Sequence, residues 1–245
     1  MTRKRLLFAL LAGLGAALCA VAAPGADKKA EQAAPPAAAR AGEDAPLAIK
    51  LPPPYFGGTP LSYENEHLEP VNLAPRKPFL APKGAVNLSQ GKPVTSSDPD
   101  PTFGKLSMIT DGEKGYQQEY LTELAAGTQW VQIDLGQPSE IYAVLCWHFH
   151  AADRVYFDVV VRTADDPEFK TNVQTLYNND YDNSSGLGVG KDMEYIENYE
   201  GRLIPALKDG KGVVGRYVRL YSKGNTTDET NHYVEVEVWG KPAGK

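Results

Sequence analysis

Five short runs with a two-residue period constrain this chain more than any other feature of it. Residues 129–135 (QWVQIDL) place Val131, Ile133 and Leu135 on one face and Gln132 and Asp134 on the other. Residues 141–149 and 155–162 are rich in β-branched and aromatic side chains, and 216–221 (RYVRLY) and 233–239 (YVEVEVW) alternate again. Such a period is that of a strand with one buried face, and the Gly, Pro, Asn and Asp clusters between the runs supply turns. No long helical period competes, and no repeat of about 20–50 residues marks a propeller or solenoid. The expected fold is therefore an all-β, antiparallel sandwich.

The first residues differ. Arg3-Lys4-Arg5 precede an uncharged apolar run over 6–22 that closes on Ala20-Val21-Ala22, the pattern of a secretory signal peptide over 1–22. The run is at the short end for a membrane span and has no stop-transfer flank, so no transmembrane segment is expected in the mature chain. The protein is thus read as exported: periplasmic, extracellular or attached to the cell envelope. Cys19 raises lipidation as an alternative, but Leu18 stands where a lipoprotein signal has a small residue. After cleavage Cys146 is the one remaining cysteine, which rules out an internal disulfide. Its place in an apolar run marks it as a small buried hydrophobe and not a catalytic thiol.

Residues 23–46 are Ala/Pro-rich without a large apolar side chain and read as a disordered tether. Residues 47–84 mix prolines with Leu51, Tyr55, Phe56, Leu61 and Tyr63, and read as an extended segment docked on the domain. The formal charge is −6. Without the three leader cations, 22 basic groups face 31 acidic ones, a balance of −9. That excess argues against nucleic acid and anionic membrane as partners.

Several motifs then follow in one order: 87–97 (NLSQGKPVTSS), Thr110-Asp111-Gly112, 130–136 (WVQIDLG), 216–220 (RYVRL) and 235–240 (EVEVWG). The series resembles the discoidin or coagulation factor V/VIII type C domain of the galactose-binding-like superfamily, over about residues 85–241. The resemblance implies a jelly-roll sandwich of about eight strands and non-catalytic binding through loops at one end. Its members include bacterial carbohydrate-binding modules and fucose-binding lectins. It does not imply which ligand.

Many bacterial members hold a structural Ca²⁺ between the Asp-Gly loop and the last strand, which by motif position makes Asp111 and Glu235 the candidate ligands. Loop carbonyls could complete the six to eight oxygens that Ca²⁺ takes. The bland alternative is an Asx turn at Asp111 and an outward strand residue at Glu235. A second acidic stretch, 178–186, begins like an EF-hand loop, but its Gly comes one position late and Lys191 stands where the bidentate Glu belongs, so it reads as a turn-rich loop.

The strongest polar cluster is Trp147-His148-Phe149-His150, followed by Arg154. His148, His150 and Arg154 approximately match the basic sugar contacts of lectin-like relatives, and their donors suit hydroxyl groups. Tyr116 and Tyr120 are candidates for the aromatic platform against a sugar ring, with Asn225, Asn231 and His232 completing the rim. In a period-two strand His148 and His150 share a face with Cys146, and Trp147 shares the other with Phe149. Burying imidazoles costs more than burying aromatic rings, so the histidines are expected outward. Two histidines on one face also leave open a Zn or Cu site.

No nucleophile elbow, zinc-protease motif or exposed Cys-base pair is present, so no enzyme is expected. The chain ends five residues after Gly240, so the sandwich is expected to stand alone on its tether. The sequence thus points to an exported binding protein for carbohydrate or a glycan-bearing partner. The alternatives are an envelope structural or protein-interaction module and a transition-metal binder at His148 and His150.

Overall fold

A computed structural model describes residues 44–55, 62–72 and 74–244. The leader and residues 23–43 of the expected tether lie outside the described residues. The strands are β1 (Asp44–Pro46), β2 (Leu80–Pro82), β3 (Val86–Asn87), β4 (Val94–Ser96), β5 (Thr122–Leu124), β6 (Gln129–Trp147) and β7 (Val160–Ala164). They continue with β8 (Gln174–Asn178), β9 (Arg202–Pro205), β10 (Leu207–Lys208), β11 (Lys211–Ser222), β12 (Asn231–Tyr233) and β13 (Glu235–Pro242). All the strand pairs are antiparallel, and the fold is a jelly-roll sandwich.

One strand builds both layers. The first half of β6 pairs with β4 and with the end of β11, which continues to β7 and β8. Its second half pairs with β13 and β9, and β13 carries β3. Between the halves lies the exposed Gly136-Gln137-Pro138, with Gly136 at φ 87°. A strand that changes sheets through such a bend is a standard corner of packed β-layers. Strand β11 makes the same passage at an irregularity between Gly215 and Tyr217.

The alternation read from the sequence now has a place for each side. Val131, Ile133 and Leu135 of the first layer, with Val161, Val218 and Leu220 beside them, pack with Val144, Cys146, Val236 and Val238 of the second in the main core. On the opposite face of the second layer, Ala143, Leu145, Trp147 and Trp239 form another buried cluster. Leu47, Ile49 and Phe79 of the N-terminal arm close that cluster. The second layer is therefore covered on both sides.

The arm is a loop that leaves and returns. Strand β1 pairs with β2, with Asp44 opposite Pro82, so the tether expectation is corrected for 44–46. The ring of Tyr55 stacks on Tyr116 at 3.5 Å and 3°. Leu68 bridges to Glu194, and the Glu69 carboxylate accepts two contacts from Arg202 Nη1 at 2.8 and 2.9 Å. Arg76 Nη1 donates to the carbonyls of Glu200 and Gly201 at 2.9 and 2.8 Å. Prolines deny the arm a ladder with the long strands of the sandwich, so polar side chains and stacked rings hold it there instead.

Trp147 anchors this face. It is wholly buried, and its Nε1 donates to the Tyr199 carbonyl at 3.0 Å. Gly201 sits at φ 66°, where a Cβ would lie 2.5 Å from the indole. Gly201→Ala is expected to lower stability by about 3 kcal/mol in urea melts, from overpacking plus left-handed strain. Gly210→Ala, at φ 74° with open space around it, should cost only about 1 kcal/mol. Equal losses in the two variants would show that the indole contact is not the cause.

Candidate functional site

The polar cluster at the end of β6 is not a rim. His148 is wholly buried in the main core. Its Nδ1 lies 2.5 Å from Glu197 Oε1, its Nε2 3.6 Å from Cys146 Sγ, and its ring stacks on Tyr156 at 4.3 Å. His150 is 3% exposed, and its Nε2 lies 3.2 Å from the Lys114 carbonyl. Burial pushes the His150 pKa down. The expectation of outward histidines fails for a physical reason. The choice between aromatic and imidazole faces vanishes once the arm covers one face, and Glu197 supplies the partner a buried imidazole needs. Among the described residues the two histidines belong to no group of three or more candidate metal ligands. Among the described residues the one group of three or more ligand atoms lies elsewhere, at Asp158, Asp180 and Asp182.

The other expected sugar contacts are also engaged within the protein. Arg154 Nη1 pairs with Asp228 Oδ2 at 3.0 Å, and its guanidinium lies 5.1 Å from the Phe149 ring centre. Asn225 Nδ2 donates to Asp228 Oδ1 at 2.7 Å and to the Thr230 carbonyl at 3.1 Å, so it builds the 225–230 turn. Asn231 Nδ2 donates to the carbonyls of Ala125 and Gly127. His232 is 4% exposed, with Nδ1 2.9 Å from the Tyr156 hydroxyl and Nε2 3.1 Å from Thr230 Oγ1. Asn225, His232, His148 and His150 are thus buried framework groups, and Arg154 is a half-buried ion-pair partner.

The aromatic expectations fare differently. Tyr120 packs into the second core, close against Gly115. Tyr116 is half-buried and backs Tyr55. Tyr55 lines a cleft of about 570 Å³ between the arm and the 196–200 loop. Pro54, Pro70, Val71, Pro75, Ile196 and Tyr199 supply its apolar wall, and Asn72 and Asn198 add amides. Glu69, Asp153 and Glu200 also line it, whereas Glu197, whose side chain is fully buried, meets it only through its main chain. None of the expected sugar-contact residues lines this concavity. Its walls come from four separate stretches of chain, which no local motif could join. The readable signal was the rings and prolines of 47–84.

A second depression of about 380 Å³ lies beside the acidic loop, with His67 stacked on Tyr181 at 3.6 Å on one wall. Asp158, Asp180 and Asp182 each bring an oxygen within 4.8 Å of the others. Ser184 and Ser185 donate to all three of them, and Lys223 Nζ stands 3.6 Å from Asp158 Oδ2. This is a turn held by its own hydrogen bonds, as the failed EF-hand match implied.

The Asp-Gly corner is different. Asp111 Oδ1 accepts the Glu113 N–H at 2.9 Å in an Asx turn. Glu235 is wholly buried, Oε2 accepts the Gly112 N–H at 3.1 Å, and Oε1 has no partner among the described residues. Burial pushes this carboxyl up to about 9, with Glu237 and Asp111 adding to the rise. Lys114 Nζ contacts Glu237 Oε1 at 2.7 Å and the Gly112 carbonyl at 3.4 Å. A carboxyl held neutral by burial offers no charge to a cation, so an ion bound at Glu235 would have to displace its proton. The all-oxygen donor set is of the kind Ca²⁺ takes.

The chain matches no protein-family model and no curated protein. Among solved structures it is similar to a family 89 glycoside hydrolase from Clostridium perfringens, at 17% identity and TM-score 0.46, over 65% of this chain and 15% of that one. It is also similar to a chitosan-binding module of a chitosanase/glucanase from Paenibacillus sp. IK-5 (20% identity, 63% and 99% covered, TM-score 0.38). A Streptococcus pneumoniae fucose-binding module is similar as well (16% identity, 62% and 96% covered, TM-score 0.41). The likeness is one of fold. At these TM-scores it decides neither a superfamily nor a ligand.

His232 gives the framework a pH signature. Desolvation lowers its pKa from 6.5 to about 4, so the folded protein excludes a proton that the unfolded chain binds. The stabilisation is full above about pH 6.5 and is lost as pH falls through about 4, at a slope of up to about 1.4 kcal/mol per pH unit. Melting temperature is expected to fall over that window, and less steeply in His232→Asn. Identical slopes would remove His232 as the cause.

Proposed function

We propose that the protein is an exported, non-catalytic binding protein that takes a carbohydrate, free or on a glycan-bearing partner, in the cleft between the arm and the 196–200 loop. The observation that carries this reading is the wall pairing Tyr55, backed by Tyr116, and Tyr199 with amides and carboxylates in one concavity of about 570 Å³. A sugar ring presents C–H faces that pack on aromatic rings and hydroxyls that need donors and acceptors. A mostly apolar pocket with a few placed polar groups is the usual form of a small-ligand site. The arm contributes Tyr55 and Asn72, so it completes the site instead of merely covering it.

Retention of specific saccharides by the full chain, read by calorimetry after an oligosaccharide screen, tests this. Tyr55→Ala and Tyr199→Ala, each checked for an unchanged circular dichroism spectrum, are expected to weaken binding by about tenfold or more, or about 1.4 kcal/mol. A blank screen across neutral, acidic and amino sugars would sink the reading.

Calcium is proposed as a structural ion held by Glu235 and Asp111, with carbonyls of the Asp-Gly loop. Its support is Glu235 Oε1, buried without a partner. When bound, the ion would supply the positive charge that this oxygen lacks. An ion that binds only the native state at a hundred times its Kd stabilises by about 2.7 kcal/mol, which for a domain of this size raises Tm by about 5–10 °C. Chelator-stripped protein is expected to regain that increment with Ca²⁺, and Glu235→Gln to show none. Equal melting of stripped and Ca²⁺-loaded wild type would end the proposal.

A further inference from the structure

We propose that the outer face of the first layer binds an oxyanion, a sulfate or phosphate group, at Arg162 of β7 and Arg219 of β11. The two residues stand directly opposite each other in the β7–β11 register. Their strands send Val161, Val218 and Leu220 into the main core. The arginines therefore share the other face, where side chains so placed have Cβ atoms about 4.5–5.5 Å apart. The same row continues to Gln132 of β6 and to the exposed Thr175 of β8. None of these residues lines the cleft, so the proposal does not rest on the carbohydrate reading.

Like charges facing each other across a ladder repel, and a carboxylate alongside is the ordinary remedy. The chain applies it elsewhere: Arg154 pairs with Asp228, Arg202 with Glu69 and Arg216 with Asp134. Neither Arg162 nor Arg219 enters an ion pair among the described residues, although the chain has 31 acidic groups against 25 basic ones. Both are half-buried, where water and salt screen a charge less than on an open surface. Neutral groups pin Arg219 in place. Its guanidinium lies against the rings of Trp130 and Phe169, 4.3 and 4.0 Å from their centres. It donates to Gln132 Oε1, the Tyr221 hydroxyl and the Pro167 carbonyl. Arg162 donates through Nη2 to the Leu187 carbonyl, and its Nη1 has no partner among the described residues. The row thus holds two uncancelled charges, an unused guanidinium nitrogen and a hydroxyl, with no acid among them. A neutral ligand would leave both charges unanswered, whereas an oxyanion accepts several charge-assisted bonds from fixed guanidinium groups.

The test is calorimetry on the full chain in chloride buffer of about 50 mM ionic strength. Its probes are inorganic sulfate, a sulfated galactose tetramer and the same tetramer stripped of its sulfates. The sulfated tetramer is expected to bind at least about tenfold more tightly than the stripped one. Raising salt to about 500 mM should narrow that gap by screening, and Arg162→Gln should close most of it. Because that change also removes the Leu187 contact, Thr175→Val at its exposed position is the second variant and should narrow the gap in a protein of unchanged melting temperature. Inorganic sulfate that binds and competes with the sulfated tetramer marks a free anion as sufficient. Binding of the sulfated tetramer alone marks a saccharide-borne group, and either result supports the oxyanion site. Equal binding of the two tetramers, a gap that survives in both variants, or no binding by any probe overturns it. The carbohydrate reading of the cleft is judged separately, by neutral sugars and the Tyr55 and Tyr199 variants.

Discussion

The buried contact between His148 and Glu197 is the point on which the rest of the molecule turns. His148 directly follows β6, the strand that builds both layers, and Glu197 belongs to the loop that receives the arm. The pair is reinforced along the backbone, where the Glu197 N–H donates to the Arg154 carbonyl at 2.8 Å. Neither partner would be tolerated alone in such a core, since removing one of a buried pair costs about 3–5 kcal/mol. Together they fix where residues 194–201 run. From there Glu194 receives Tyr63, Glu200 receives Arg76, and Tyr199 holds the indole of Trp147. The position of the cleft follows from one core contact.

The same contact explains how a sandwich without a disulfide can carry an irregular, proline-rich arm. Apart from its own β1–β2 pair, an arm of this composition joins no ladder of the sandwich and must be held by what it buries. Leu47, Ile49 and Phe79 give it an apolar footing over Leu145, Trp147 and Trp239. The Glu69–Arg202 pair and the stack of Tyr55 on Tyr116 fix its course across the end of the sandwich. The outer face of the second layer, which in an ordinary antiparallel sheet would face water, becomes a second small core.

Much of the fold was legible in the sequence because period-two patterning is a local property. The grouping of Cys146 with His148, and of Trp147 with Phe149, is what the structure shows. Which group faces inward was not legible. That depends on a carboxylate 49 positions downstream and on an arm folding back from upstream, and pairwise arithmetic along one strand contains neither. The same limit governs the site. Tyr116 was recognised as a ring near the binding end, but its stacking partner Tyr55 and the acids Glu69, Asp153 and Glu200 meet only through tertiary contacts. Glu235 was found by motif order, while its stranded oxygen could only be seen in space.

The pairing of β1 with β2 has a mechanical meaning. Asp44 lies opposite Pro82 and Pro46 opposite Leu80, so the point where the chain enters the arm and the point where it passes into the sandwich sit at the same end of one ladder. Tension applied through Asp44 against the anchored domain therefore opens that ladder one rung at a time, in the manner of a zipper, instead of shearing all its bonds at once. The long strands β6, β11 and β13 feel no load until the arm has peeled. The arm that shapes the cleft is thus also the element that yields first, so a pull on the N-terminal side would disassemble the cleft while leaving the sandwich folded.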